Sequence, residues 1–543
     1  MGIYLNPPSD GFADILRDGF YVDKTGLITY INQVMGTSRK LTCFSRPRRF
    51  GKSYAAQMLA AYYSKGADSR QLFHNLRVSN PPEGEKDREL ADHEQYLNKC
   101  DVLFWDMTWF ISNAENIEDT IRNLRIRVLE ELKAEFPDYV KREKASLPEV
   151  LLNISAGTGR KFFIIIDEWD ALFREAKEQT DLQKTYIQFL RGLFKGSQVS
   201  RFLKGAYMTG ILPIKKYGTQ SALTDFCEYT MLEPGVLAEY VGFTEDEVRT
   251  LCRKYDMDFE ETRRWYDGYS FSRIGDVYNP NSVMKAVINQ RFSDYWTQTE
   301  TYESLMLYID LNFDGLKDAV LRMLGGNQRK IDTGAFQNDM TSMKNRDDVL
   351  TLLVHLGYLA YNGDRKSVWI PNQEIREEFL RAIKNGRRKE LVKAVELSDR
   401  ILDATIRMDG DAVAEMISEV HMANTSPKSY NNEQALRSVV IMAYLSSMDH
   451  YIRFEELTSG RGYIDILFLP HKTSKKPALL IELKWNKSAK KAITQIGDKD
   501  YASFVRKFGH DQDLLLVGIN YSEKTCRHTC KIERYKKYQK ERN

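Results

Sequence analysis

Phe44-Ser45-Arg46-Pro47-Arg48-Arg49-Phe50-Gly51-Lys52-Ser53 ends an apolar run and opens a helical pattern, and Phe162-Phe163-Ile164-Ile165-Ile166-Asp167-Glu168 answers it further along the chain. In a P-loop, the backbone N–H groups of a tight turn and the next helix N-terminus cradle phosphates. A Lys reaches the β- and γ-phosphates, and a Ser hydroxyl joins the Mg²⁺ shell. Lys52 and Ser53 are placed for those two tasks, so Arg46 through Ser53 is expected to bind nucleotide. Apolar residues running into paired acids predict a buried parallel strand that delivers Asp167 to the metal and Glu168 towards an attacking water. Taken alone, each segment has a bland alternative: a chance Gly-Lys-Ser at a helix start, and a strand ending in solvated acids. Their order, with a helix between them, predicts a nucleotide triphosphatase. Arg46 stands where the G-x-x-x-x-G-K-[ST] pattern has its first Gly, and Pro47 favours an extended entry for the residue before it.

The chain has 543 residues, enough for about three or four domains with large buried cores. Hydrophobic residues at 42% and charged residues at 29% indicate a globular protein and exclude disordered and fibrous classes. A formal net charge of +3 excludes wholesale electrostatic attraction to nucleic acid, so any DNA contact must be regional. Cys43, Cys100, Cys227, Cys252, Cys526 and Cys530 are scattered without a disulfide framework, which points to the reduced cytoplasm. Cys526-Arg527-His528-Thr529-Cys530 lacks a second ligand pair, so no zinc is expected. Met1 to Asn6 lacks a signal-peptide pattern, Asn6 breaks the myristoylation pattern, and no run is long enough to span a membrane.

Strands alternating with helices predict an α/β parallel sheet over residues 1–240. Its elements are a helix Leu27 to Met35, a strand Lys40 to Ser45, a helix Lys52 to Ser64, a loop Ser79 to Glu94 and a strand Asp101 to Trp109. Further helices are expected over Ile117 to Phe136, Leu147 to Ile154 and Asp181 to Phe194. Phe202 to Gly210 is a strand with Thr209 near its end, either a γ-phosphate sensor or a strand-end cap. Tyr21 is either near the nucleotide base or a core residue. Residues 241–400 change to helices and turns. Trp265-Tyr266-Asp267-Gly268-Tyr269 and Tyr278-Asn279-Pro280 mark a helical lid. The helix Asp347 to Leu359 with a hairpin after it resembles a winged helix that binds DNA or regulates the ATPase. A charged helix, Arg376 to Ser398, leads onward, and Ala423 to Tyr430 is a small-polar boundary.

Residues 401–543 carry a second constellation. Gly462 to Leu469 and Ala478 to Lys484 read as strands joined by a polar turn, bearing Asp465 and Glu482-Leu483-Lys484. Residues at i and i+2 share a strand face, so Glu482 and Lys484 point the same way. Phosphodiester hydrolysis needs carboxylates to hold Mg²⁺ and a cation to orient the nucleophile. Asp465 and Glu482 are the metal ligands of this reading and Lys484 the cation. A bare Glu-x-Lys also occurs on ordinary solvated strands. Here Gln495 follows in a helix six residues before Tyr501, and Glu433 opens a helix to Leu445 that can complete the acidic cluster.

The order Tyr21-Val22-Asp23-Lys24-Thr25, Arg46 to Ser53, Met208-Thr209-Gly210-Ile211-Leu212-Pro213-Ile214, Trp265 to Tyr269 and Tyr278-Asn279-Pro280 resembles the prokaryotic AAA-ATPase-like family, whose members often carry a C-terminal PD-(D/E)XK nuclease-superfamily domain. The resemblance implies that Arg46 is the usual form at its position. It also matches Glu433, Asp465, Glu482, Lys484 and Gln495 to that superfamily's catalytic residues, although no Pro precedes Asp465. The implied fold is a P-loop NTPase sheet with a helical lid and winged-helix-like middle region, followed by an α/β restriction-endonuclease-like domain. The implied activity is ATP hydrolysis coupled to Mg²⁺-dependent cleavage of DNA, with Mn²⁺ as an alternative at the nuclease site, in defence or mobile-element biology. The alternative is a nucleotide-switched regulatory ATPase whose nuclease-like domain only binds nucleic acid or a partner. A homo-oligomer with nucleotide between subunits would draw a finger from Arg201, Lys215 or Lys216.

Overall fold

The computed structural model describes residues 2–81, 93–140, 145–214, 216–217, 220–221, 223–296, 302–311, 313–338, 343–387, 389–424, 430–458, 463–471, 474–498 and 513–535. Lys215, Tyr501, most of the Ser79 to Glu94 loop and the centre of the Ala423 to Tyr430 boundary lie outside them. The chain folds as two compact units, Met1–Thr299 with Lys330–Ile375, and Glu300–Arg329 with Arg376–Asn543.

In the first unit, β1 (Leu41–Ser45) leads through the loop into helix α1 (Lys52–Tyr63). β2 (Asp101–Asp106), β3 (Phe162–Asp167), β4 (Leu203–Gly210) and β5 (Cys227–Tyr229) complete a parallel sheet of order β2-β3-β4-β1-β5. β3 is buried along its whole length, so its five apolar side chains each contribute on the order of 2 kcal/mol of burial. Leu124, Val128 and Leu132 of the helix Thr120–Glu135 pack with Phe162, Ile164 and Ile166 of β3, and Tyr63 of α1 meets Phe163 at 4.6 Å between ring centroids. A strand covered on both faces must be apolar throughout, which is why its pattern is a run and not an alternation.

Two sequence boundaries shift for local reasons. The strand expected to reach Trp109 stops at Asp106, whose carboxylate accepts from the Thr108 N–H at 2.8 Å and caps the helix Met107–Ser112. The charged helix expected over Arg376 to Ser398 is two helices, Gln373–Asn385 and Lys389–Ile406, parted at Gly386.

The middle region is winged-helix-like: a helix Arg346–Leu356 followed by an antiparallel hairpin of Ala360–Asn362 and Ser367–Trp369. From Asp348 to Leu356 every residue of that helix is buried, so it presents no face that can read a DNA groove. Glu374 ties this region to the lid. Its buried carboxyl accepts from the Ser282 hydroxyl at 2.9 Å, the Tyr295 N–H at 2.7 Å and the Trp296 N–H at 2.9 Å.

The second unit is built on a mixed sheet of order β6-β7-β8-β9-β10, in which β6 is Tyr451–Thr458, β7 Tyr463–Pro470, β8 Ala478–Trp485, β9 Leu514–Ser522 and β10 Arg527–Arg534. β8 and β9 run parallel and the other neighbours antiparallel. Helices α2 (Glu433–Ala443) and α3 (Ala489–Asp498) pack on it.

Burial, the chief cause, raises the Glu374 carboxyl from its ordinary 4.5 to about 8, with Asp294 adding to the rise and its hydrogen-bond donors opposing it. The folded state therefore holds this proton more tightly than the unfolded chain. The resulting stability is full below about pH 4.5 and is lost as pH rises through about 8, by a few kcal/mol. Glu374→Gln keeps an acceptor and cannot titrate. Its melting temperature should fall less than that of the wild type between those two pH values, and parallel pH profiles would exclude Glu374 as the source.

Candidate active sites

The strand order sets the first site. β4 lies between β1 and β3, so the loop after β1 and the acids after β3 are two strand spacings apart, about 10 Å, at the carboxyl edge of the sheet. The loop turns through left-handed backbone at Arg49 (φ 68°) and Gly51 (φ 89°). Gly51 adopts it without steric cost, and Arg49 pays about 1 kcal/mol for it. Arg48, Arg49, Phe50, Gly51, Lys52, Ser53 and Tyr21 line a cleft of about 930 Å³.

Arg46 and Pro47 do not line it. Arg46 is fully buried, its guanidinium over the rings of Phe44 at 4.5 Å and Phe271 at 4.9 Å, donating to the Thr230 carbonyl at 2.7 Å. Burial pulls that guanidinium down to about 9. Its side chain is a plug behind the loop, which accounts for an Arg where a Gly is expected. The Pro47 carbonyl accepts from Lys52 Nζ at 3.0 Å. Thr209 is buried in β4 opposite Phe44 of β1, and its carbonyl accepts from the Trp169 N–H at 2.9 Å.

Lys52, nearly buried, also lies 3.5 Å from Glu168 Oε1. Glu168 has left-handed backbone (φ 50°), a kink after β3 that aims its carboxylate back at the loop, and its other oxygen pairs with Arg174. Burial works against its charge, but Lys52, Arg174 and Arg48 outweigh it and hold the carboxyl below the usual range. Arg174 is fixed by Asp170, at 3.2 Å, and Asp170 is in turn held by the N–H groups of Ile211 at 3.1 Å and Leu212 at 2.8 Å. Asp167 is buried and stands level with Asp106 across the β2–β3 pair. Burial, then Glu168 and Asp106, push its carboxyl up to about 7 against a hydrogen bond from Ser53. Hard oxygen donors crowded beside a hydroxyl, with too little positive charge among them, fit a divalent cation. Asp106, Asp170 and Arg174 were not expected from sequence. The Asp170–Arg174 spacing of one helical turn is the signal that could have found the latter pair.

In the second unit, Asp465 of β7 and Glu482 of β8 come together where the ladder of those strands ends at Ile466 and Ile481. Asp465 Oδ2 accepts from the Leu483 N–H at 2.8 Å. Glu482 Oε1 accepts from Lys484 Nζ at 3.0 Å and from the Gln495 amide. Four of the five expected residues are thus joined. Glu433 has no contact with them among the hydrogen bonds and ion pairs of the described residues. The α2 residue that reaches Asp465 is Arg437, one turn on, at 3.3 Å, and it also pairs with Glu456. Gln495 arrives because α3 lies close on β9 at Gly518, the partner of Glu482, where an added Cβ would stand 2.4 Å from the Ala489 carbonyl. Two carboxylates with a buried ammonium beside them fit a divalent cation held by Asp465 and Glu482. No group of three His, Cys, Asp or Glu side chains poised for a metal occurs among the described residues.

Residues 9–219 match the family described as Predicted AAA-ATPase, and residues 431–531 match the PD-(D/E)XK nuclease superfamily. The chain thus carries an AAA-ATPase-like region and a nuclease-superfamily region. Among solved structures, the ORC2 protein of Aeropyrum pernix in its ADPNP-ADP complexes is similar at 12% identity and a TM-score of 0.28, over 72% of this chain and 93% of that one. No curated protein matches. No helix among the described residues is long and apolar enough to cross a membrane, and all six cysteines are free.

The close approach at Gly518 gives a direct test. Gly518→Ala should shift α3 and destabilise the second unit by about 1–3 kcal/mol through overpacking. Hydrogen exchange should show lost protection in Ala489–Asp498, and unchanged protection there would mean that α3 does not depend on this contact.

Proposed function

We propose that this protein is an ATPase whose first unit binds and hydrolyses ATP and whose second unit cleaves DNA phosphodiester bonds, the first gating or driving the second. The observation that carries the reading is that each constellation assembles within its own unit: Lys52, Ser53, Asp167 and Glu168 at one sheet edge, Asp465, Glu482, Lys484 and Gln495 at another. Domain limits of 1–240, 241–400 and 401–543, a cytoplasmic setting, a homo-oligomeric state and a role in defence or mobile-element biology belong to the same proposal.

In this reading Lys52 leaves Glu168 for the β- and γ-phosphates, and Arg48 and Arg49 add positive charge at the cleft wall. Glu168, ionised and held by Arg174, accepts the proton of the attacking water. Asp167 and Ser53 would hold a Mg²⁺ ion, which would supply charge neutralisation at the phosphates. Tyr21 lies in the same cleft and faces the base, and Thr209, at the end of the strand between loop and acids, senses the γ-phosphate. In the second unit, Asp465 and Glu482 would hold Mg²⁺ or Mn²⁺, Lys484 would orient the water and stabilise the transition state, and Gln495 fixes the Glu482 carboxylate.

Two observations favour the second reading, a regulatory ATPase with a binding-only nuclease-like domain. Arg437 already occupies Asp465, and Glu433 does not join the cluster.

Lys52→Ala should weaken ATP binding at least tenfold by calorimetry, since no backbone amide replaces a charge-assisted contact. Unchanged affinity would remove the P-loop role. Asp465→Ala, Glu482→Ala and Lys484→Ala should each abolish metal-dependent cleavage of plasmid DNA while ATP turnover persists. Cleavage that persists in Glu482→Ala, or is absent from the wild type under every metal and nucleotide condition, makes the regulatory reading the better one.

A further inference from the structure

A second cleft, of about 650 Å³, opens at the opposite edge of the first unit's sheet. It gathers Lys40 just before β1, Asp101 at the start of β2, Lys161 just before β3 and Lys204 early in β4, so it lies at the amino ends of the strands. Six strand residues separate the ends of β3, about 20 Å, and none of the P-loop residues lines this cleft. Lys65, Lys99 and Arg160 complete a set of six cations that line the cleft with one carboxylate, Asp101, while Glu135 lies 3.7 Å from Arg160 outside the lining. Five net positive charges thus collect in one cleft of a chain whose whole formal charge is +3.

Asp101 is already satisfied. It is buried and takes Lys65 at 3.0 Å, the Arg160 guanidinium and the Asn6 amide at 3.2 Å. The other four cations find no carboxylate among the described residues. Lys40 Nζ donates to the Leu203 carbonyl at 3.1 Å and Lys161 Nζ to the Ser200 carbonyl at 2.9 Å. Lys204 Nζ rests 3.6 Å from Cys100 Sγ and over the Tyr96 ring at 4.6 Å, and Lys99 is exposed. Burial, and to a lesser degree the neighbouring Lys161, lower the Lys40 ammonium. Holding like charges together costs free energy, which a bound anion lowers.

We propose that this cleft is a second anion site, which binds a compact oligophosphate with adjacent phosphoryl groups. Its volume lies within the range of small-ligand pockets, and the cations converge on one concavity instead of tracking along a surface as a nucleic-acid backbone requires. The same chemistry is offered by inorganic tripolyphosphate and by the phosphates of a nucleotide.

Calorimetric titration of the full chain with inorganic tripolyphosphate at physiological salt tests this. The wild type should show two sites and Lys52→Ala one. In the wild type, Lys161→Gln, Lys204→Gln and Lys99→Gln should each weaken the second site about tenfold without lowering the melting temperature. ATP bound there no tighter than tripolyphosphate assigns the site to the inorganic anion, and tighter ATP binding assigns it to a nucleotide. The proposal is overturned if no tripolyphosphate site of the wild type is weakened by any of the three Gln variants. It is equally overturned if the variants abolish binding of a DNA oligonucleotide that tripolyphosphate does not displace.

Discussion

Charged side chains can be buried at the carboxyl edge of a sheet only where opposite charges or donors meet them, and the first unit is organised by that constraint. Lys52 and Glu168 arrive from strands that are not neighbours and face each other across 3.5 Å, with Arg174 closing the other side of the carboxylate. Removing one partner would strand the other in low dielectric, which costs several kcal/mol. In the proposed reading a phosphate chain would supply the substitute partner for Lys52. Asp167 is the unbalanced member. Its carboxyl sits at about 7 because burial and two neighbouring acids oppose its charge, and a bound cation would reverse that.

The second unit solves the same problem with fewer groups. Asp465 is tied to a backbone N–H and to Arg437, and Glu482 to Lys484 and Gln495, so both carboxylates are held in place by donors. The arrangement depends on Gly518, whose missing side chain lets the helix bearing Gln495 lie against the sheet. Arg437 is the feature on which an active and a binding-only site differ, since it must yield Asp465 Oδ1 before a cation takes it.

Much of this was legible in the sequence because both sites hang on strands whose burial dictates their pattern. The run Phe162 to Ile166 has no polar break and leads to the acids at 167–168, and the i, i+2 alternation of a strand puts Glu482 and Lys484 on one face. Side-chain direction was not legible. Arg46 reads as a loop residue and is a buried plug, because its partners Thr230 and Phe271 are remote in sequence. Glu433 and Arg437 are one helical turn apart, and only the packing of that helix on the sheet decides which reaches Asp465. The basic cleft was equally hidden. Its six cations are spread from position 40 to position 204, and nothing but the register of four strand starts brings them together.

Glu168, held below the usual carboxyl range with Lys52 3.5 Å away, is proposed as the ionised acceptor for the attacking water. Titrating Glu168→Gln with ATP and Mg²⁺ while following phosphate release measures this most directly. The account predicts ATP affinity at or above that of the wild type, because Lys52 no longer has to leave a carboxylate, and turnover lower by a factor on the order of 10²–10⁴. Lost ATP binding would make Glu168 a structural prop, and undiminished turnover would place the catalytic base elsewhere.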